Sequence, residues 1–379
     1  MKAGAIAQKV CRYFLAAVFL FSGIVKAVDP LGTCYKMSDY FEAFGVPELS
    51  AVALPAAFLM IIVEFTIGFN MLCSLKLKLT AVVAAVFMAV MTPVTLYLAI
   101  YNPVSDCGCF GDALVLTNWQ TFYKNVVIDV VLIALFFLLK YDKSRFTEKG
   151  QWLIMLFPVF FCLGVELYSY RHLPIIDFRP YKVGNNISEL MTVPEGAPTD
   201  RYRTTFVYSK DGVEKEFTLD NYPAEDSTWT FVRQNVELIE KGYTPPIHDF
   251  SIMLNGEDDI TDIVLEREGS TLLVVSPKLE NASEKGVEEV NRVYDWAVEN
   301  EVPMYWLTSS FHTEIEDFVK RYNVKCPMAQ TDEITLKTII RSNPGLVLIK
   351  NGTVKGKWHY NDFPDSEKLH SITTYILQR

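Results

Sequence analysis

Basic charge is in short supply in this chain. Its 379 residues carry 35 Lys and Arg against 45 Asp and Glu, a formal net charge of −10. Nothing here builds the broad positive field that a nucleic-acid partner requires, so no nucleic acid is expected among its partners. Charged residues of either sign make up only 21% of the chain and apolar ones 50%, which excludes a disordered chain. Seven cysteines in 379 residues are too few for a disulfide-dense scaffold. Histidine is absent before residue 172, and all five lie at or after it. The first half therefore lacks the ligands of a mixed Cys/His zinc site or a histidine-held haem, and no metal site is expected. There is also no Gly-rich phosphate loop, no Ser/His/Asp arrangement and no paired-carboxylate site.

What is present divides sharply. Residues 1–172 hold 13 Lys and Arg and 11 Asp and Glu, a net of +2, whereas residues 173–379 hold 22 and 34, a net of −12. Apolar runs cover about 6–27, 51–73, 77–101, 120–140 and 151–170. Each is near the roughly 20 residues that cross a hydrocarbon core. The first run ends in Gly23-Ile24-Val25-Lys26-Ala27 without a small-x-small cleavage site. It is also longer than a signal-peptide core, so it reads as a retained span. Lys2 and Lys9, then Lys76 and Lys78, then Lys140, Lys143, Arg145 and Lys149 fall in alternate connections. The connection between the third and fourth runs has no Lys or Arg until Lys124. The positive-inside bias then puts the N-terminus in the cytoplasm and the acidic half outside, with membrane lipid as a partner.

This topology sorts the cysteines. Cys11 and Cys73 lie near the cytoplasmic side and Cys162 lies inside the fifth span, where an inert packed thiol is expected. Cys34 in the first outer connection and Cys107 and Cys109 in the second share one oxidising face. A Cys-x-Cys disulfide closes a very small ring, and a ring that departs from relaxed geometry is easier to reduce. Gly108 and Gly111 supply the tight backbone it needs. Asp106 and Asp112 flank the pair and are expected to raise its thiol pKa values. Cys34 can exchange with either member through a mixed disulfide. Redox exchange, a structural bridge from Cys34 to one of the pair, and a metal site are the alternatives.

Two stretches resemble the DoxX/MauE group of redox-associated membrane proteins. One is Arg12-Tyr-Phe-Leu-Ala-Ala-Val-Phe-Leu-Phe-Ser22-Gly23-Ile-Val-Lys26-Ala-Val-Asp29-Pro30, like that group's opening helix; the other is Cys107-Gly-Cys109-Phe-Gly, like the MauE cysteine motif. The resemblance covers roughly residues 5–140. It implies a four-helix core in a bacterial inner membrane, an association with periplasmic disulfide formation, and partner proteins that mature through it. The layout is also similar to the vitamin-K-epoxide-reductase type of bundle, which implies a quinone as acceptor. The chain departs from that pattern in having Cys-x-Cys rather than Cys-x-x-Cys and a single cysteine in the first outer connection.

Two carboxylates fall within spans. Glu64 sits mid-way along the second run and Asp129 lies nearer the outer end of the fourth. A carboxylate at bilayer depth costs several kcal/mol unless paired or protonated. For Glu64 the alternatives are a protonated group bonded to a neighbouring helix and a proton or cofactor role. Lys26 is expected to snorkel outward rather than reach it.

The second half changes character. Thr204–Lys210 and Val213–Leu219 alternate around Asp211-Gly212, a strong hairpin signal, and a helix is expected near Ser227–Lys241. From about 246 strands and helices alternate: strand Ser270–Ser276, helix Glu284–Glu299, strand Pro303–Thr308, helix Thr313–Arg321, strand 325–329, helix 333–341, strand Gly345–Lys350, turn Asn351-Gly352, strand Thr353–Tyr360 and helix 365–377. This is the thioredoxin-like order. Tyr243-Thr-Pro-Pro-Ile-His-Asp249-Phe250-Ser-Ile resembles the entry strand of TlpA and peroxiredoxin-like proteins, and Asn343-Pro344-Gly345 resembles that fold's cis-proline.

Where that fold carries Cys-x-x-Cys, this chain has Pro277-Lys278-Leu279-Glu280-Asn281-Ala282-Ser283. The domain therefore reads as a redox-dead binding module whose groove, lined by Pro344, Asn343, Asn281 and Lys278, docks an extended client peptide. Cys326 is expected to be buried, and Trp358, His359, Tyr360 and Phe363 form either a contact patch or edge packing, with His359 at the surface. The expected organisation is a multi-domain chain. A DoxX/MauE-like helical membrane domain spans 1–145 and a fifth span 146–172. A β-rich tether covers 173–245, and an α/β thioredoxin-like domain without Cys-x-x-Cys covers 246–379. The function expected is a membrane thiol-disulfide oxidoreductase centred on Cys107, Cys109 and Cys34. The alternatives are an envelope scaffold with structural cysteines and a carrier that uses Glu64.

Overall fold

A computed structural model of the protein describes residues 2–104, 107–142, 144, 146–223 and 226–377; of residues 2 and 374–377 it describes the backbone. Asp106, Lys143 and Arg145, singled out above, lie outside the described residues. The N-terminal half folds into α1 (Lys2–Val28), α2 (Pro30–Ala43), α3 (Ala53–Cys73), α4 (Leu77–Tyr101), α5 (Asn118–Leu138) and α6 (Glu148–Arg171). All but α2 are long and apolar enough to cross a membrane. The connection after the first run, read above as a loop, contains α2: Pro30 sits in its first turn, and the Asp29 carboxylate caps it by accepting from the Gly32 N–H at 3.0 Å.

Glycine sets the closest helix crossing. A Cβ on Gly23 of α1 would stand 2.8 Å from the Cα of Phe65, and one on Gly68 of α3 would stand 2.6 Å from the backbone of Leu20. Small residues let two membrane helices approach this far, and van der Waals packing, not water, drives the contact. Ser22 and Lys26 on α1 and Glu64 on α3 flank this crossing. α4 and α5 are tied by polar bonds at depth, from Asn125 Nδ2 to Thr95 Oγ1 at 3.0 Å and from Thr92 Oγ1 to Asp129 at 2.8 Å. α6 packs on α1 and α3 around Ala27, Ile61, Phe65 and Cys162.

After α7 (Ile187–Met191), strands β1 (Arg201–Lys210), β2 (Val213–Thr218) and β3 (Thr230–Glu240) form an antiparallel sheet in the order β2-β1-β3. The hairpin is as expected: Asp211 and Gly212 both adopt positive φ, 51° and 81°. The helix expected near Ser227–Lys241 is instead β3, paired with β1 from Arg201↔Glu240 to Ser209↔Thr230. Phe231, Val232, Val236, Leu238 and Ile239 fit either period, and the free edge of β1 decides between them by supplying backbone partners along the whole segment.

The C-terminal part holds β4 (Met253–Leu254), β5 (Asp258–Asp259), α8 (Thr261–Leu265), β6 (Ser270–Ser276), α9 (Glu284–Glu299), β7 (Met304–Thr308), α10 (His312–Tyr322), β8 (Met328–Gln330), α11 (Glu333–Ile339), β9 (Gly345–Lys350), β10 (Thr353–His359) and α12 (Ser366–Leu377). Its seven-stranded sheet runs β10-β9-β6-β7-β8-β4-β5, with β6, β7 and β8 parallel and β9 and β10 antiparallel to their neighbours. This is a thioredoxin-like arrangement. β6 is buried on both faces, Leu273 and Val275 toward one core and Leu272 and Val274 toward the other, which explains its unbroken apolar run. The Asn343-Pro344 peptide is cis. The segment likened to an entry strand is not a strand: pairing starts only at Met253, although Ile247, Phe250 and Ile252 are buried. The same core takes in Tyr181 and Ile187, so the segment after α6 is part of the domain's packing as well as a connector.

Candidate redox site

The cysteine loop joins α4 to α5. Its ends are pinned by Asn118, whose Nδ2 donates to Asn102 Oδ1 and to the Val104 carbonyl, both at 2.8 Å. Gly108 and Gly111 adopt φ of 60° and 52°, and a Cβ on Gly108 would stand 3.0 Å from the side chain of Lys36. The loop thereby turns both thiols to one point. The Cys107 and Cys109 sulfurs are 2.8 Å apart, at 6% and 8% exposure. Each neighbouring carbonyl is held: the Ser22 hydroxyl of α1 donates to the Cys109 carbonyl at 2.7 Å, and the Tyr40 hydroxyl of α2 donates to that of Cys107.

The electrostatics reverse the expectation from the flanking aspartates at Cys109 and leave Cys107 raised for a different reason. The hydrogen bond from the Cys107 thiol, with the ammonium groups of Lys124 and Lys26 outweighing burial, holds the Cys109 thiol down to about 6. The same hydrogen bond, with burial, pushes Cys107 well up. Asp112 does not dominate the pair because it faces Arg341, at 3.4 Å.

Lys26 does not snorkel. Its Nζ bonds Glu64 at 2.7 Å and Ser22 Oγ at 3.1 Å, and the residue is buried. The Gly23 crossing is what brings α1 and α3 near enough for this pair. Asp129 accepts from Thr92 on the α4–α5 face. Cys162 is buried, as expected. Glu166 on α6 went unremarked in the sequence, although it carries the same signal as Glu64, a carboxylate inside an apolar run. It is 0% exposed, and neither carboxylate oxygen has a hydrogen-bond partner among the described residues.

The thioredoxin-like domain is latched over this loop. Arg341, between α11 and β9, places its guanidinium on Asp29 with Nε at 2.9 Å and Nη2 at 2.9 Å, and Nη2 also faces Asp112. Lys337 and Arg341 lie over the Tyr35 ring of α2, 5.0 and 5.4 Å from its centre. At the end of α6, His172 pairs with Asp362 at 2.8 Å and the Arg171 carbonyl accepts from Asn361. Between the two parts lies a chamber of about 460 Å³ lined by charged groups, among them Asp29, Lys36, Asp112, Asp177, Lys337 and Arg341. Gly108 and Gly111 of the cysteine loop form part of its wall.

Not every candidate converges. Cys34 lies half-buried on α2, where burial raises its thiol pKa and Lys337 is the opposing cation. It lines neither the chamber nor, among the described residues, any other cavity that reaches the pair. Asn343 and Lys278 are engaged with their own domain: Asn343 Nδ2 donates to the Lys278 carbonyl at 2.8 Å, the Asn343 carbonyl accepts from Ser283, and Lys278 Nζ pairs with Glu333. Pro344 is packed by α9, since a Cβ on Gly286 would stand 2.6 Å from its Cδ. His359 is buried rather than at the surface, with Nδ1 accepting from Asn361, and burial lowers it to about 4. Trp358 and Phe363 pack against the core. Cys326 is buried, as expected, and burial pushes its thiol up. Among the described residues no cluster of His, Cys, Asp and Glu could hold a metal ion.

Residues 4–141 match the family described as methylamine utilisation protein MauE, and residues 202–241 match a domain of unknown function, DUF8463. The chain is 34% identical over 142 residues to protein TlpB of Flavobacterium psychrophilum, a match that takes in 36% of this chain and 38% of that relative. The chain thus spans little more than a third of the length of the curated relative it matches. Among solved structures it is similar to a putative protein disulfide isomerase from Bacteroides thetaiotaomicron, at 16% identity and a TM-score of 0.28, over 34% of this chain and 84% of that one.

Proposed function

We propose that the chain is a membrane-anchored thiol-disulfide redox protein whose reaction centre is Cys107 and Cys109. The observation that carries this reading is the convergence of two buried sulfurs, 2.8 Å apart, beside a charged chamber roofed by a thioredoxin-like domain. A Cys109 thiol held near 6 stabilises the reduced pair. A disulfide whose reduced form is stabilised is a strong oxidant of other thiols. A partner thiolate attacks Cys107 Sγ and Cys109 leaves as the thiolate, stabilised by Lys124 and Lys26. The partner's second thiol then attacks the mixed disulfide, so the partner gains a disulfide and the pair is left as two thiols. The thioredoxin-like domain, which lacks a Cys-x-x-Cys, holds the partner over the loop and takes no electrons. The Lys and Arg residues at the far end of the bundle favour a bacterial inner membrane, with the cysteine loop and soluble domain in the periplasm.

The test is disulfide trapping in intact cells. In Cys109→Ser the lone Cys107 thiol should attack the disulfide of an oxidised partner, the reverse of the step above, and retain it as a reductant-sensitive band on a non-reducing gel; Cys107→Ser/Cys109→Ser should show no such band. If maleimide labelling finds the pair oxidised under all conditions, and the double variant functions as the wild type does, the cysteines staple a scaffold and the reading fails.

A further inference from the structure

The sheet β2-β1-β3 has two open edges, and they differ. β2 is short and carries Glu214, Lys215 and Glu216 in succession, charges that keep another strand away. β3 spans 11 residues, Thr230–Glu240, holds no Lys or Pro and is exposed along its whole length. Among the described residues its backbone is paired on one side only, to β1. Phe231, Val232, Val236, Leu238 and Ile239 are 42–57% exposed. A long apolar edge with nothing to blunt it is a template for another strand. The two irregularities in the pairing with β1 fall near the ends of β3 and leave Arg233–Leu238 regular. Side chains alternate along a strand, so Arg233, Asn235 and Glu237 share one face. The strand is also close to symmetric about Asn235: Arg233 mirrors Glu237, Val232 mirrors Leu238 and Phe231 mirrors Ile239.

We infer that β3 pairs with β3 of a second copy of this chain, antiparallel about a two-fold axis at Asn235, so that the two sheets join into one. Antiparallel strands set residues directly opposite one another, and a two-fold axis makes one residue face its own copy. Centred on Asn235, each Arg233 faces Glu237 of the other copy, while Val232 and Phe231 face Leu238 and Ile239. Centred on Arg233 or on Glu237, like charges face each other, which is destabilising; centred on Gln234 or Val236, neither charge meets its opposite. The register on Asn235 also continues a pattern inside the sheet. Arg203 of β1 stands opposite Glu237, and Arg233 reaches Glu214 of β2 at 2.9 Å. Across the joined sheet Arg203 and Glu237, then Arg233 and Glu214 of the second copy, alternate in sign. A strand of another protein must reproduce this order of charges, whereas a second copy carries it already. The pairing needs none of the cysteine chemistry.

The test co-expresses two full chains with different affinity tags and reads linkage between the tags on a non-reducing gel, with mass spectrometry of the linked peptides. Directly opposite Cβ atoms stand about 4.5–5.5 Å apart and diagonal ones about 7–8 Å, so only opposite positions suit a disulfide. Asn235→Cys should therefore link to its own copy on mild oxidation, well above the wild type. Gln234→Cys and Val236→Cys should link poorly when each is expressed alone and well when expressed together. Charge reversal gives a second readout. Arg233→Glu or Glu237→Arg alone should cut recovery of one tag with the other about tenfold or more. Mixing the two variants should restore it, since one copy then carries two acids and the other two bases, and restoration in trans excludes a misfolded sheet as the cause. Linkage at Asn235→Cys no higher than in the wild type overturns the inference. So does linkage at Gln234→Cys alone as strong as at Asn235→Cys, or association that neither charge reversal moves, which places the contact elsewhere. Asn235→Cys linked to a different protein and not to its copy also overturns it, and makes the edge a site for a foreign strand.

Discussion

Replacing Arg341 by methionine should undock the thioredoxin-like domain from the cysteine loop. The guanidinium side chain is 7% exposed, with two nitrogens on Asp29, whose side chain is 18% exposed, and a longer contact to Asp112. Removing one partner of a buried pair typically costs about 3–5 kcal/mol, because the remaining charge stays buried. Asp29 keeps some compensation, from Arg179 nearby and from the Gly32 N–H. The lower end, about 3 kcal/mol, is therefore the expected cost, which is a factor of about 150 in the docking equilibrium. The pH dependence has a definite sign. Burial works against ionisation of Asp29, but Arg341 and Arg179 overcome it and hold its carboxyl below its ordinary value of 3.8. The latch is then fully present above that value and is lost only as pH falls through the lower native one. Amide hydrogen exchange at neutral pH is the assay. In Arg341→Met, amides of α2 and of residues 107–112 should exchange up to about a hundredfold faster, with the interior of β6 unchanged. Adding Asp29→Asn should cost little more, because the two side chains form one interaction. Exchange like that of the wild type, or effects that add, would refute the latch.

Two further outcomes follow from the buried charges. Lys26→Met leaves Glu64 ionisable and unpaired at depth, and should lower the melting temperature in detergent more than Lys26→Met/Glu64→Gln does; equal or additive losses would mean that the pair is not coupled. For the reduced protein, the rate of iodoacetamide labelling at Cys109 should reach half its plateau near pH 6, where an ordinary thiol does so near 8.5. Cys107→Ala, which removes the hydrogen bond, should move that midpoint upward, and an unmoved midpoint would leave the lysines as the sole cause.

The parts of the fold that carry a local signal were legible in the residues. The apolar runs set the spans, Asp211-Gly212 set the hairpin, and the Ser270–Ser276 run set a strand buried on both faces. Thr230–Glu240 was misread because its apolar residues fit two periods and the deciding partner, β1, is distant in sequence, from Ser209↔Thr230 to Arg201↔Glu240. The cysteine pair was visible as a motif. Its electrostatics were not, since Asp112 is adjacent in sequence while Lys26, Lys124 and Arg341 come from α1, α5 and the loop before β9. Lys26 was misplaced for a related reason. Its reach to Glu64 depends on how closely α1 and α3 approach, which is decided by Gly23 and Gly68 meeting backbone rather than by the length of the lysine.

The absence of a Cys-x-x-Cys from the thioredoxin-like domain has a physical counterpart in how that domain sits. Arg341 lies three residues before the cis-proline, and this edge faces the membrane's own cysteine loop. A second redox pair on this edge would face the loop that carries Cys107 and Cys109, and thiol exchange between neighbouring pairs would compete with the partner exchange proposed above. The segment Pro277–Ser283 instead makes hydrogen bonds within its own domain, through the Lys278 carbonyl and the Ser283 N–H to Asn343. Under the proposed function, a roof without a Cys-x-x-Cys leaves a partner's thiols as the groups that react with the pair. Restoring a Cys-x-x-Cys at Leu279–Ala282 tests this. If the silence matters, the variant should form a disulfide between residue 279 or 282 and Cys107 that competes with partner trapping. If the restored pair oxidises and reduces without ever linking to Cys107, the two edges do not communicate and the roof is only a support.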